Sequence, residues 1–280
     1  MTFPESSPMT SLAEQVACTG IIDADVLERV RHETLTIPDG WVAQYGEYQS
    51  GGWGTLSLLN DTGVASDVTI TDCEPVETGL LASMPATRQL LADLGLRYMW
   101  ARIARLDAGA FLWEHRDYGE LKAVERHRLH IPIVTSPSAY LVLGGAAVHL
   151  AAGNIWRLTP TFAHGACNQH GPIRIHLILD CYAGPELADL TADQQLPASC
   201  VRPLPPLDGE LLQQQVTRAL SLAQLGYTQA AEEHLLRLFF QYALPEGHTY
   251  DLITDLYDAI GDTQTAEVWR SRKSVLLGIS

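Results

Sequence analysis

The chain has 280 residues, 46% of them hydrophobic and 18% charged, which is ordinary globular composition with length for one sizeable domain and a smaller one. Thirty-three acids against 18 bases leave a net charge of −15 without a basic stripe, which argues against a nucleic-acid partner or an anionic membrane surface. No apolar run reaches the roughly 18 residues of a membrane span, and the polar stretch Met1 to Glu14 lacks the basic and apolar regions of a secretory signal.

The five cysteines (Cys18, Cys73, Cys167, Cys181, Cys200) are odd in number, widely spaced and without a CxxC pair. That usage fits reduced thiols and a cytoplasmic protein better than a disulfide framework. Cys167 and Cys181 read as small buried fillers.

Residues 1–20 read as loosely ordered. Ile21 to Leu35 carries helical spacing, with Asp23 or Asp25 as N-cap. Trp41 to Asn60 alternates aromatic, glycine and polar residues and reads as strands joined by glycine turns. Met84 to Leu94 predicts an amphipathic helix. From Arg97 onward the chain becomes strand-rich, with strands predicted over Arg97–Leu106, Arg128–Thr135, Ala139–Leu143, two around Ala152-Gly153-Asn154, and Ile173–Tyr182. Side chains two apart share a strand face, so Arg128 and His130 point one way and Leu129, Ile131 and Ile133 the other. By the same geometry Arg102 and Arg105 face opposite sides.

Gly184 to Pro206, rich in Pro, Asp and Gln, reads as a linker. Helical periodicity follows over Leu211–Leu225, Thr228–Tyr242, Thr249–Ile260 and Thr263–Leu277. The segment Gly226-Tyr-Thr-Gln-Ala-Ala-Glu faintly echoes a tetratricopeptide repeat, but without a matching second unit it reads as a helical cap or dimer element. The expected architecture is mainly β with α. A double-stranded β-helix of jelly-roll or cupin type occupies 1–183, a linker 184–206, and a small all-α region 207–280.

The chemistry concentrates in the strand-rich part. His115-Arg116-Asp117 follows a strand and turn; His164 comes 47 residues past Asp117, and Arg174 ten residues past His164. Two imidazoles and one carboxylate on one face can hold a non-haem Fe(II) and leave adjacent positions open. Arginine is rarely buried without a partner, so Arg174 in an apolar strand predicts an anion, and its planar fork suits a carboxylate. His127, His149, His170 and His176 could compete as ligands, but none combines a carboxylate two residues away with the downstream pattern. An amino-acid substrate needs groups for its carboxylate and ammonium and apolar walls. Arg102 or Arg105, Glu114 or Glu120, and Trp53, Tyr98, Trp100, Trp113 and Tyr118 are the candidates.

The stretches Arg102-Ile-Ala-Arg-Leu-Asp-Ala-Gly-Ala-Phe-Leu-Trp-Glu-His115-Arg-Asp117, Arg128-Leu-His-Ile, Gly153-Asn-Ile-Trp-Arg-Leu and His164 with Arg174-Ile-His-Leu-Ile-Leu-Asp resemble the aspartyl/asparaginyl β-hydroxylase-like Fe(II)/2-oxoglutarate dioxygenases. The chain looks most like the bacterial L-proline cis-4-hydroxylase branch. The match spans roughly residues 97–182, is fainter in the helical C-terminus and loose over the first 95 residues. The resemblance implies that His115, Asp117 and His164 bind iron and that Arg174 holds the distal carboxylate of 2-oxoglutarate. It places Arg128 and His130 along the co-substrate pocket and Arg102 or Arg105 at a substrate carboxylate. The cofactors implied are Fe(II), 2-oxoglutarate and O2; the reaction implied is hydroxylation of an unactivated C–H of a free, proline-like amino acid. Two alternatives stand beside it: a hydroxylase of Asp or Asn in a peptide or carrier-bound chain, and a non-oxidative cupin-like metal protein, which would not need Arg174.

Overall fold

The computed structural model describes residues 8–117 and 124–278. Two antiparallel sheets face each other. Their strands are β1 (Val16–Ile21), β2 (Trp53–Asn60), β3 (Val76–Glu77), β4 (Tyr98–Leu106), β5 (Ala110–His115), β6 (Arg126–Val134), β7 (Ala139–Leu143), β8 (Ala146–Val148), β9 (Asn154–Leu158), β10 (His164–Asn168), β11 (Arg174–Tyr182) and β12 (Val201–Pro203). The major sheet runs β1-β9-β6-β11-β4-β2-β3 and the minor sheet β12-β8-β7-β10-β5. From β4 to β11 the chain steps back and forth between the sheets, giving β4, β6, β9 and β11 on one side and β5, β7, β8 and β10 on the other. That is the double-stranded β-helix expected from the many short, glycine-punctuated strands.

Strand alternation builds three apolar layers. Between the sheets lie Ala104, Leu106, Leu112, Leu141, Trp156, Ala166 and Ile178. The outer face of the major sheet carries Ile103, Leu129, Ile131, Leu177 and Leu179, covered by α2 (Ala24–Leu35), α3 (Gly79–Ala82), α4 (Pro85–Leu94) and α5 (Pro185–Thr191). Helix α2 starts at Asp23, whose carboxylate accepts from the Asp25 and Val26 N–H groups. The outer face of the minor sheet carries Phe111, Trp113, Tyr140, Val142 and Cys167. These pack in one core with α6 (Gly209–Gln224), α7 (Thr228–Leu236), α8 (His248–Ala259) and α9 (Thr263–Leu277). The C-terminal helices therefore share their core with the barrel.

Three segments differ from the sequence reading. Residues 8–21 are ordered: α1 (Pro8–Gln15) leads into β1, which pairs with β9 along the edge of the major sheet. The supposed linker is docked chain, since it contains α5, a bridge from Gln195 to Cys18, and β12 paired with β8. Of its prolines, Pro185 opens α5, Pro197 caps a short 3-10 helix and Pro203 ends β12. Within Trp41–Asn60 only Trp53–Asn60 is a strand; Val42 and Gln49 form isolated bridges to Thr55 and Leu112. Gly51 and Gly52 adopt φ of 100° and 79°, which turns the chain back into β2.

Candidate active site

The site begins with an irregularity in β5. Leu112 faces the barrel interior, while Phe111 and Trp113 face the helices. Strict alternation would then send His115 outward with Trp113. Instead the register with β10 shifts between His164↔His115 and Ala166↔Leu112, so three steps on β5 oppose two on β10. The extra residue is a bulge. It leaves both Trp113 and Glu114 on the helix side and turns His115 into the barrel.

There His115 meets Asp117 and His164. The His115 Nε2 lies 3.6 Å from Asp117 Oδ1 and the His164 Nε2 lies 3.6 Å from Asp117 Oδ2. The three ligand atoms all fall within 4.8 Å of one another. Each imidazole uses its other nitrogen on the backbone: His115 Nδ1 donates to the Trp113 carbonyl at 2.7 Å and His164 Nδ1 to the Phe162 carbonyl at 2.9 Å. That fixes the tautomer with Nε2 unprotonated toward the centre. Burial, reinforced by the neighbouring His164, pulls the His115 pKa down to about 4. Burial lowers that of His164 as well. For Asp117 burial pushes upward, but Arg128 and the two histidines outweigh it and hold the carboxyl below its ordinary range. Neutral imidazoles and an ionised carboxylate are the states that a divalent metal needs, so the donor set fits Fe(II).

Next to this set lies a buried chain of charges. Arg128 ion-pairs with Asp117 Oδ2 and places its Nε 2.8 Å from Asp180 Oδ1. Asp180, fully buried, also accepts from Arg102 Nη1 at 2.5 Å. Two guanidiniums and two carboxylates thus neutralise each other inside the barrel.

Arg174 lies outside that chain. Among the described residues no carboxylate pairs with it; its guanidinium lies against His176, with Nη2 2.9 Å from Nδ1, and its buried Nη1 has no partner. Burial lowers its pKa to about 10. His130 and His176 both sit well below the usual histidine range, through burial and then the Arg174 charge. The buried His130 Nε2 is also without a partner. A buried cation with orphaned donors is a fit for a ligand carboxylate.

An aromatic wall closes the remaining side. Tyr45 stacks on Tyr48 with centroids 5.1 Å apart, and Tyr48 stacks on the His115 ring at 4.2 Å. Trp53 lies 5.7 Å from Tyr45. The loop carrying the tyrosines runs along the free edge of β5, where Ser50 N donates to the Phe111 carbonyl and Trp113 N to the Tyr48 carbonyl. Tyr45 has φ of 64°, a conformation that costs a non-glycine residue on the order of 1–3 kcal/mol.

Of the sequence-predicted residues, the fold brings together His115, Asp117, His164, Arg174, Arg128, His130, Arg102 and Trp53 around one cavity. Five others lie elsewhere: Tyr98, whose hydroxyl donates to the Leu91 carbonyl at 2.7 Å, Trp100, whose Nε1 donates to the Ser57 hydroxyl at 2.8 Å, and Trp113, Arg105 and Glu114. Trp113 faces the helices, 5.2 Å from Phe111 and 6.1 Å from Phe240, because the bulge breaks the same-face relation to His115. Arg105 points out of the barrel, paired with Asp107 and set over the Trp41 ring. Glu114 also faces away. Tyr118 and Glu120 lie outside the described residues. Sequence reasoning did not single out Asp180 and weighed His176 only as a competing metal ligand, which the cluster of His115, Asp117 and His164 does not include. The same-face rule applied to β6 would have found both, since Arg174, His176, Ile178 and Asp180 are successive inward positions of β11. Tyr45 and Tyr48 were not singled out, because the alternation over Trp41–Asn60 reads as strand whereas the two tyrosines stand in a loop.

The family model for aspartyl/asparaginyl beta-hydroxylase matches residues 20–183. The L-proline cis-4-hydroxylase of Rhizobium meliloti (strain 1021) is 25% identical over 243 residues, 84% of this chain and 85% of that protein. The L-proline cis-3-hydroxylase 1 of a Streptomyces species is 29% identical over 154 residues, 52% of each. Among solved structures, a 2OG-Fe(II) oxygenase-family oxidoreductase from Burkholderia pseudomallei aligns with a TM-score of 0.42 at 14% identity, over 56% of this chain and 79% of its own.

Proposed function

The chain belongs to the aspartyl/asparaginyl β-hydroxylase family, and from that premise we propose that it is an Fe(II)- and 2-oxoglutarate-dependent dioxygenase that hydroxylates a free, proline-like amino acid. One observation carries the reading. His115, Asp117 and His164 converge in a buried cavity that also presents Arg174, a cation with orphaned donors. A non-oxidative cupin-like metal protein needs the three ligands but has no use for Arg174.

His115, Asp117 and His164 hold the metal from one side. Iron bound there with 2-oxoglutarate and dioxygen supplies the oxidising power for C–H hydroxylation, with succinate and carbon dioxide as co-products. Arg174 takes the far carboxylate of the keto acid, with His176 and His130 beside it as neutral partners. Arg128 keeps Asp117 ionised and in place. Arg102, paired with Asp180 but with its buried Nε unpartnered and lining the same cavity, is the group we assign to a substrate carboxylate. Trp53, Tyr45 and Tyr48 form apolar walls and faces for a cationic ring nitrogen. Both histidine ligands are only 4% exposed, so bulk water is kept from the reacting atoms. That enclosure favours a small substrate over a peptide, as do the names of the two proline-hydroxylating relatives. Among the described residues no helix is long and apolar enough to cross a membrane. The five free thiols suit the reducing cytoplasm.

The test is an anaerobic titration with Fe(II) and 2-oxoglutarate, followed in the visible charge-transfer band of a chelated keto acid, and then addition of free amino acids. A band whose shape shifts with proline or a relative supports the reading. A band indifferent to every free amino acid moves the substrate to a peptide or carrier-bound chain, and no band removes the oxygenase assignment.

A further inference from the structure

The C-terminal helices touch the metal-ligand strand at the place where it is irregular. Glu114, the outward residue of the β5 bulge, accepts from the Gly247 N–H at 3.0 Å through its carboxylate, and its backbone carbonyl accepts from the Tyr250 hydroxyl at 2.6 Å. Two residues on, Arg116 pairs with both oxygens of Glu246, at 2.7 and 2.8 Å, and its N–H donates to the Leu276 carbonyl at 2.8 Å. His115 is thus held on both flanks by the start of α8, the turn before it and the end of α9. The second histidine is approached too. A Cβ on Gly165, the neighbour of His164, would stand 2.8 Å from Phe239 and 3.1 Å from Phe240, so glycine is what lets these rings close on β10.

We propose that the C-terminal helical unit is a positioning element of the metal centre, holding the bulge that turns His115 inward, with Tyr250 and Glu246 as its positioning residues. An unsupported bulge can relax to regular pairing, and one slip of register moves every side chain beyond it to the other face. Relaxation of β5 would take His115 out of the barrel and displace Asp117 behind it, leaving His164 without its partners. These five bonds oppose that slip from the helix side, beside the barrel's own bonds from the Arg116 guanidinium to the Thr161 carbonyl and from the Asp117 N–H to the Pro160 carbonyl. The proposal rests on the metal-site reading of His115, Asp117 and His164.

The experiment compares two buried tyrosines in the full-length, metal-free protein. Tyr250→Phe removes the bond to the Glu114 carbonyl. Tyr257→Phe removes a bond of the same length, 2.6 Å to Glu232, that stays within the helical unit. Co(II) is titrated into each, with affinity read by calorimetry and ligand geometry by the visible d–d band. We expect Tyr250→Phe to weaken Co(II) about tenfold, the lower end for loss of an outer-shell support, and to change the band, while Tyr257→Phe leaves both unchanged. Glu246→Gln, on a half-buried pair, should weaken Co(II) in the same direction and covers the case in which Tyr250→Phe does not fold. Unchanged affinity and band in Tyr250→Phe and Glu246→Gln, or equal losses in Tyr250→Phe and Tyr257→Phe, overturn the proposal. A wild-type chain that binds no Co(II) overturns the metal reading itself and the proposal with it.

Discussion

On the barrel side of β5 four ionised groups, Arg102, Arg128, Asp117 and Asp180, are buried together and compensate one another. On the helix side of the same strand the carboxyl of Glu114 is buried at 3% exposure and is met by a backbone N–H but, among the described residues, by no paired arginine or lysine. Burial, only partly offset by that N–H, pushes its pKa up to about 8. A strand one residue thick therefore shows both ways of placing an acid out of water: keep its charge and supply a counter-charge, or let it keep its proton. The first suits a surface that must hold a cation; the second suits a packed interface.

The largest expected effect comes from removing the charge that the metal needs. Asp117→Ala should abolish succinate formation while the chain stays folded, because Arg128 retains Asp180; surviving turnover would remove Asp117 from the ligand set. Next, Asp180→Asn leaves two buried guanidiniums with one carboxylate between them and should cost about 3–5 kcal/mol of stability, measured by denaturant unfolding of the metal-free protein. A loss below about 1 kcal/mol would mean that the inner charges do not depend on mutual compensation. On the helix side the expectation has the opposite sign and depends on pH. The folded Glu114 keeps its proton to about 8, whereas an unfolded carboxyl releases it near 4.5. Between those limits the folded state binds more protons, so this group's contribution to stability falls as pH rises through them. Glu114→Gln should therefore be close to neutral at low pH and stabilising at high pH, by on the order of a few kcal/mol; parallel stability–pH curves for the two proteins would count against it. The smallest effects separate the two tryptophans. Trp53→Phe should raise KM for the amino acid several-fold, whereas Trp113→Phe should lower stability by about 1 kcal/mol and leave KM alone.

The sequence was most informative where chemistry constrains residue type and least where backbone geometry decides. His115, Asp117, His164 and Arg174 stood out because imidazoles, a carboxylate and a buried arginine have few other reasons to occur in strand-rich chain. The paired direction of Arg128 and His130 followed from period-two alternation, which β6 keeps over that stretch. Trp113, a candidate for the pocket wall, lies outside the cavity, because β5 inserts a residue that no local pattern reveals. The docking of 184–206 escaped notice for a related reason: prolines that signal a linker also mark strand ends, and only the partners Cys18 and Val148 distinguish the two.

The loop bearing Tyr45 and Tyr48 has a consequence for how such an enzyme can change. Two of its attachments to β5 run from backbone to backbone, through Ser50 N and the Tyr48 carbonyl. The loop's placement therefore constrains its side chains weakly, while His115 and His164 sit on paired strands of the minor sheet, against the C-terminal helices. On the proposed function, substitutions at Tyr45, which stacks on Tyr48 and not on His115, would redraw the substrate wall with the least effect on the iron site. Selection, natural or in the laboratory, has in these few residues a route to new amino-acid substrates that leaves the oxidising centre intact.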